Sequence, residues 1–339
     1  MVPAYPSRVE RSLRPVIRSE VGHVSLFANH KAVIVGAGAV GSQCAASLMM
    51  LDLVDEIVLI DVDPGCARAQ AMDLDDMGSG LKQRVAVRVG TYDDCADAQF
   101  VIISAGRSRR PGQSRRDMLA ATMNIMGPIA QNIKASGFDG ILITVTNPAD
   151  VVAEYLYRQL GLPRTRVFGT GTSLDTARLR RLVSERTGIS RQHIQAFALG
   201  EHGESSFVWG SHMTIESIPL TEFYRMHPEV ERLRMVEMNR LVRQRGSDIV
   251  AGKGKTEYGI STVVTDIVNA IIHDERSITP LSVHLEGEYG ESGLSISVPC
   301  VIGACGIEEV LEVDLTQREL GWLHESCEAI RGYAGSVLG

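Results

Sequence analysis

No run of about 18 apolar residues occurs anywhere in this chain of 339 residues, so no segment reads as a membrane-spanning helix. Basic residues are outnumbered, with 34 Lys and Arg against 41 Asp and Glu, a formal net charge of −7. That deficit argues against a general nucleic-acid binder, which needs a positive surface for phosphate. The six cysteines (Cys44, Cys66, Cys95, Cys300, Cys305, Cys327) form no CxxC pair. Their scatter excludes a disulfide framework and a zinc site and fits free thiols in a reducing compartment, so the expectation is a cytoplasmic protein with no metal. Internal repeats and low-complexity tracts are missing too.

What is present describes a globular chain long enough for two domains, 44% hydrophobic and 22% charged. Residues 1–30 carry four Arg and three Pro without an apolar core, so they do not read as a secretory signal. Glu10 and Glu20 weigh against a transit peptide, which leaves a surface arm, suited to packing on a neighbouring subunit. From Lys31 short apolar runs alternate with helical stretches: KAVIV (31–35), EIVLI (56–60), VAVRV (85–89), FVIIS (100–104) and GILITV (140–145) read as strands. Near-continuous apolar strands alternating with helices imply an α/β fold, a Rossmann-type doubly wound parallel sheet over 31–170. After about Thr170 the pattern changes to a mixed α+β domain over 171–339. It opens on a helix at 173–188 capped by Ser173 or Thr172, then has a long helix at 227–252 interrupted near Gly246 and an apolar helix at 256–274. Strands at 281–303 turn at Glu288–Gly293, and a last helix follows Leu315.

The stretch VIVGAGAVGS holds G-x-G-x-x-G as Gly36, Gly38 and Gly41, between a strand and a helix, with Asp61 ending the next strand 20 residues on. That context makes an otherwise weak pattern specific for a dinucleotide. Gly36 permits a tight turn, Gly38 lets the backbone approach a pyrophosphate, and Gly41 lets helix and strand pack closely. The opening of the helix offers unpaired N–H groups to the phosphates. Asp61 would take hydrogen bonds from the adenosine ribose and repel a 2′-phosphate, which favours NAD over NADP.

Three further stretches point to a substrate. AGRSRRPGQSRRDML (105–119) places five arginines in a loop at the carboxyl edge of the sheet, suited to an anion and, through its glycines, to movement. TVTNPAD (144–150) ends the next strand with Asn147, whose amide suits a substrate or a nicotinamide. SLDTAR puts Asp175 and Arg178 at i and i+3 on one helix face, where such a pair is usually a surface ion pair but could instead point both groups into the cleft between the domains. GEHGES carries His202, and a lone histidine is most often packed or solvated.

These motifs together resemble the lactate/malate dehydrogenase family over nearly everything from Lys31 to the C-terminus. The resemblance rests on GAGAVGS, LIDVD, AMDL, GTYDDCADA, ISAG…RPGQSR, TNPADV, GTGTSLDTARLR, LGEHGESS and KGKTEYGIS, in that order. It implies an NAD-dependent dehydrogenase of L-2-hydroxy acids. His202 would exchange the hydroxyl proton, Asp175 would hold the other ring nitrogen, Arg178 would clamp the substrate carboxylate and Arg115 would polarise the C2 carbonyl. The cofactor set it implies is Gly36, Gly38, Val40, Gly41, Asp61, Tyr92, Ala105, Gly106 and Asn147, with Asn147 also touching substrate. It further implies a homo-oligomer, a dimer or tetramer, acting on a small 2-keto or 2-hydroxy acid.

Within the family the sequence splits. Arg109 stands where malate enzymes carry an arginine against a second carboxylate, because an arginine over a methyl group would be desolvated without a partner. GEHG and KGKT, with Thr256 placed against a substrate methyl, look lactate-type. The lactate type is the assignment, with pyruvate as keto acid, malate dehydrogenase acting on oxaloacetate is the alternative, and bulkier 2-hydroxy acids come last. Fructose 1,6-bisphosphate activation in the family uses an arginine, matched by Arg180, and a histidine whose place holds Gln195. The uncharged amide argues against that activation, and His193 is a weak substitute. A non-catalytic NAD-binding protein would need the glycines and Asp61 but not His202, Asp175, Arg178 and Arg115 together. An NAD- and metal-dependent glycosidase would need a cysteine beside the histidine, and none lies near His202 in the sequence.

Overall fold

The structure is a computed structural model that describes residues 30–82, 85–106 and 115–338, without the side chains of 115–118 and 336–338. The arm at 1–29 and the loop residue Arg109 lie outside the described residues.

The first half runs β1 (Lys31–Val35), α1 (Ala39–Met50), β2 (Glu56–Ile60), α2 (Pro64–Gly78), β3 (Ala86–Val89), β4 (Phe100–Ile103), α3 (Arg115–Ala135), β5 (Ile141–Thr144), α4 (Ala149–Leu160) and β6 (Val167–Gly169). The apolar runs KAVIV, FVII and ILIT are buried along their whole length, as strands covered on both faces must be. Helices α2 and α4 were not anticipated from the sequence. α2 starts where the Asp63 carboxylate accepts from Gly65 N (2.9 Å) and Cys66 N (3.2 Å), with Pro64 as its first residue.

The second half begins with α5 (Ser173–Thr187) and five two-residue strands, β7 (Ile194–Gln195), β8 (Ala198–Leu199), β9 (Phe207–Val208), β10 (Thr214–Ile215) and β11 (Ile218–Pro219). It continues through α6 (Leu220–Met226), α7 (Met235–Lys253), α8 (Tyr258–Ile272), β12 (Ser277–Glu286), β13 (Ser292–Gly303), β14 (Gly306–Val310) and α9 (Gln317–Leu338). Two expectations are corrected here. Thr172 occupies the cap position of α5, but its side chain makes no capping bond and donates instead to the Ala198 carbonyl at 2.5 Å. α7 is not interrupted at Gly246: the helix runs straight through it, and an added Cβ there would sit 3.2 Å from the Arg178 guanidinium. The glycine makes room for an arginine rather than for a bend.

One nine-stranded sheet organises the chain, in the order β14-β13-β12-β6-β5-β4-β1-β2-β3. From β3 to β6 it is parallel, and β12 joins β6 antiparallel through Ser282 opposite Gly169. The C-terminal strands therefore extend the same sheet as the dinucleotide half. β1 lies between β2 and β4, with Val35 level with Ile60 on one side and Ile103 on the other. The chain leaves β1 toward one side and returns to the other, which opens a crevice at the carboxyl ends of β1 and β4.

Candidate active site

At that crevice the three glycines do separate jobs. Gly36 turns the chain at φ 102, and a Cβ there would meet the Ala105 amide nitrogen at 2.6 Å. A Cβ on Gly41 would fall 1.9 Å from the Gly36 carbonyl oxygen, so α1 can lie against β1 only because Gly41 lacks one. A Cβ on Gly38 would meet nothing within 4 Å, and Gly38 lines the main cavity. An open glycine at a helix start, facing a cavity, is the arrangement a pyrophosphate requires.

The cavity holds about 710 Å³, within the range for small-molecule sites. Gly38, Val40, Gly106, Asn147, Arg178, His202 and Thr256 all line it, although they come from distant parts of the chain. Asp175 stands directly behind His202. Asp61 lies outside the cavity wall at the end of β2, where its carboxylate accepts from Ala37 N (2.7 Å) and Asp63 N (2.9 Å). Asp61 is thus tied to the turn that the glycines build. Tyr92 is half-buried nearby, and burial, with the charges of Cys95 and Asp61, pushes its phenol up to about 12. Ala105 packs against Gly36. Arg115 is the first residue of α3, but its side chain lies outside the described residues.

His202 Nδ1 lies 2.6 Å from Asp175 Oδ2, and Arg178 Nη1 donates to Asp175 Oδ1 at 3.0 Å. Asp175 is buried, so the pair at i and i+3 is no surface ion pair. Burial alone would raise its pKa, but the charge of and hydrogen bond from His202, helped by Arg178, hold it below the usual carboxylate range. Burial alone would lower the pKa of His202. The charge and hydrogen bond of Asp175, with the charge of Asp150, outweigh burial and the opposing Arg178, so the ring pKa is raised. An ionised carboxylate only accepts, so Nδ1 carries a proton and the other ring nitrogen is left for chemistry.

Asp150, within TVTNPAD, is a site residue that nothing local in the sequence marks out. It is 1% exposed, with Oδ2 accepting from the His202 backbone N at 2.8 Å and Oδ1 from Ser282 Oγ at 2.6 Å. Lys255 and Tyr333 also line the cavity and were not anticipated. Tyr333 belongs to α9, and its hydroxyl donates to Glu201 Oε1 at 3.0 Å, so the last helix touches the histidine loop. Nothing local in the sequence signals that contact, since it spans 132 residues.

Away from the cavity, Arg180 donates from Nε to the Ala196 carbonyl (3.3 Å) and lies over the Phe197 ring. Gln195 accepts from Thr214 Oγ1, and His193 pairs with Glu216.

A family model for the lactate/malate dehydrogenase NAD-binding domain matches residues 30–169, and one for the lactate/malate dehydrogenase alpha/beta C-terminal domain matches residues 172–332. L-lactate dehydrogenase 1 of Bifidobacterium longum subsp. longum is 40% identical over 310 residues, covering 91% of this chain and 98% of its own. The L-lactate dehydrogenase of Fusobacterium nucleatum subsp. nucleatum is 38% identical over 311 residues, covering 91% and 97%. Among solved structures, the ligand-bound minor L-lactate dehydrogenase from Enterococcus mundtii superposes with a TM-score of 0.87 at 34% identity, covering 91% of this chain and 98% of that one.

Proposed function

The chain belongs to the lactate/malate dehydrogenase family, and from that premise we propose that it interconverts L-lactate and pyruvate with NAD. The observation that carries the reading is the His202–Asp175–Arg178 cluster on the wall of the cavity that Gly38 opens. The alternative suggested by Arg109, malate dehydrogenase, is not favoured: the relatives and solved structures reported above are all lactate dehydrogenases, and the match covers nearly the whole chain.

NAD, when bound, takes or supplies the hydride at C2 of the substrate. His202 gives its second ring nitrogen's proton to the C2 oxygen during reduction and recovers it during oxidation, and the Asp175 carboxylate behind it favours the protonated form that reduction needs. Asp175 keeps the ring oriented and stabilises its charged form. Arg178 spends one N–H on Asp175 and has the rest of its planar fork for the substrate carboxylate. Asn147 orients the substrate or the nicotinamide, and Thr256 faces the methyl group at C3. Arg115 would polarise the C2 carbonyl. On the cofactor side, Gly36 and Gly41 shape the turn, Gly38 and Val40 would hold the pyrophosphate, and Asp61 would accept from the ribose hydroxyls. Gly106 lines the same cavity, with Ala105 against Gly36 and Tyr92 nearby as further candidates for that side.

The working unit is a dimer or tetramer in the cytoplasm. Its six cysteines are free, and burial pushes the thiols of Cys44, Cys95, Cys300 and Cys327 up to about 12. Such thiols are unreactive and suit a core rather than redox work.

The test is NADH oxidation with pyruvate and with oxaloacetate, each with and without fructose 1,6-bisphosphate. A higher kcat/KM for pyruvate, unchanged by the bisphosphate and lost in His202→Asn, is the expected result. A preference for oxaloacetate would overturn the substrate assignment.

A further inference from the structure

We propose that Asp150 is a positioning residue for His202: its carboxylate fixes the backbone of the histidine loop and adds a second negative charge to the surroundings of the ring. The proposal rests on His202 as the acid–base group of the reaction.

The geometry sets Asp150 apart from a helix-starting acid. An acid in the first turn ordinarily faces its own helix's free N–H groups and solvent. Both oxygens of Asp150 instead leave α4, one for the His202 backbone N at 2.8 Å and the other for Ser282 Oγ of β12 at 2.6 Å. Asp150 is 1% exposed and Ser282 is fully buried. Among the described residues its hydrogen-bond donors are thus a hydroxyl and an amide, both neutral. A buried carboxylate with neutral donors has no compensating cation, except the His202 ring when that ring is protonated.

Burial pushes the Asp150 carboxyl up to about 6, against the pull of Ser282, the His202 amide and the His202 ring. It is therefore ionised at neutral pH and close enough to the ring to raise its pKa. Other groups face the same space. Asp175 and Arg178 approach from α5, Glu201 precedes the histidine and raises Asp150 further, and Cys327 and Tyr333 face it from α9. Asp175 acts on the ring directly through Nδ1, whereas Asp150 acts through the main chain and through space.

Asp150 also stands three residues after Asn147, which lines the cavity. The turn that presents Asn147 and the loop that presents His202 are therefore pinned to each other by one side chain. A shift of that turn moves the proton donor with it.

The experiment titrates the His202 ring by NMR in the full chain labelled with 13C at histidine Cε1, the signal being assigned by its absence in His202→Gln. Pyruvate reduction is followed over the same pH range. In Asp150→Asn the ring pKa is expected to fall by about one pH unit, the low end of what a nearby opposite charge contributes. The alkaline limb of pyruvate reduction moves down with it. In Ser282→Ala, which keeps the carboxylate but removes a donor to its charged form, the shift has the same sign and is smaller. Should Asp150→Asn not fold, Ser282→Ala decides alone. A ring titration that stays where the native chain has it makes Asp150 a structural cap and overturns the proposal. A native chain that does not turn over pyruvate while its ring titration still shifts in the variants would refute the substrate reading and leave this one standing.

Discussion

Asp175 divides its carboxylate between His202 and Arg178, with Nδ1 of the ring at 2.6 Å from one oxygen and Nη1 of the guanidinium at 3.0 Å from the other. The group proposed to move the proton and the group proposed to hold the substrate are thereby aligned by one buried acid. Neither can drift without disturbing the other.

The pH dependence follows from that contact. In the proposed reaction, reduction of a keto acid needs His202 protonated, and Asp175 holds the ring's pKa above the ordinary imidazole value of about 6.5. Reduction should therefore persist above that pH and fall as pH rises through the folded-state value, while lactate oxidation rises over the same interval. Asp175→Asn removes the principal raising partner, leaves burial unopposed by it, and should carry both limbs to lower pH. The rate of reduction should also drop on the order of 10²-fold, the lower end of a general acid–base contribution. Steady-state rates against pH in both directions check this, and limbs that stay in place would contradict it.

Arg178→Lys should separate binding from chemistry. A lysine keeps the charge but not the planar fork, so it cannot serve Asp175 and a carboxylate together in the same geometry. Losing one charge-assisted hydrogen bond costs about 2 kcal/mol, or roughly 30-fold in kcat/KM for pyruvate. NADH affinity measured by fluorescence should be unaffected, and a parallel loss of NADH binding would remove Arg178 from the substrate side.

The glycines allow a paired test. Gly41→Ala forces a Cβ to within 1.9 Å of a backbone carbonyl oxygen, so α1 must shift, and thermal unfolding should show a loss of about 1–3 kcal/mol or more. Gly38→Ala meets nothing within 4 Å and should leave Tm alone while weakening NADH on the order of tenfold. If the two variants behave alike, the division of labour in the turn is wrong.

Asp61→Ser should relax the choice of cofactor. Removing the carboxylate removes repulsion of a 2′-phosphate and two ribose acceptors together. The ratio of kcat/KM for NADH over NADPH should fall by at least about tenfold, mainly through KM for NADH. Because Asp61 also accepts from Ala37 N and Asp63 N, Tm is measured alongside to exclude a collapsed turn as the cause.

Much of this site is written locally. The buried strands Lys31–Val35, Phe100–Ile103 and Ile141–Thr144 are apolar along nearly their whole length, which points to strands covered on both faces. The spacing from Gly36 to Gly41 with Asp61 beyond dictates a turn, a helix start and an acid at the next strand's end. Helix periodicity puts Asp175 and Arg178 on one face before any fold is known. These features depend on neighbours within a few residues, so the sequence by itself determined them.

Other features belong to the tertiary structure. Periodicity placed Asp175 and Arg178 on one face, but only folding buried Asp175 behind His202, 27 residues away, and set Arg178 on the cavity wall. Gly246 read as a helix breaker because its partner, Arg178, is remote in sequence. Asp150 carried no signal in the sequence, because its partners, Ser282 of β12 and the amide of the histidine loop, are remote. Tyr333 reached the cavity only because α9 returns across the histidine loop. In each case the residue's chemistry was visible from the start, but its partner was not. Burial and long-range pairing decide what a side chain faces, and those are properties of the assembled sheet and helices.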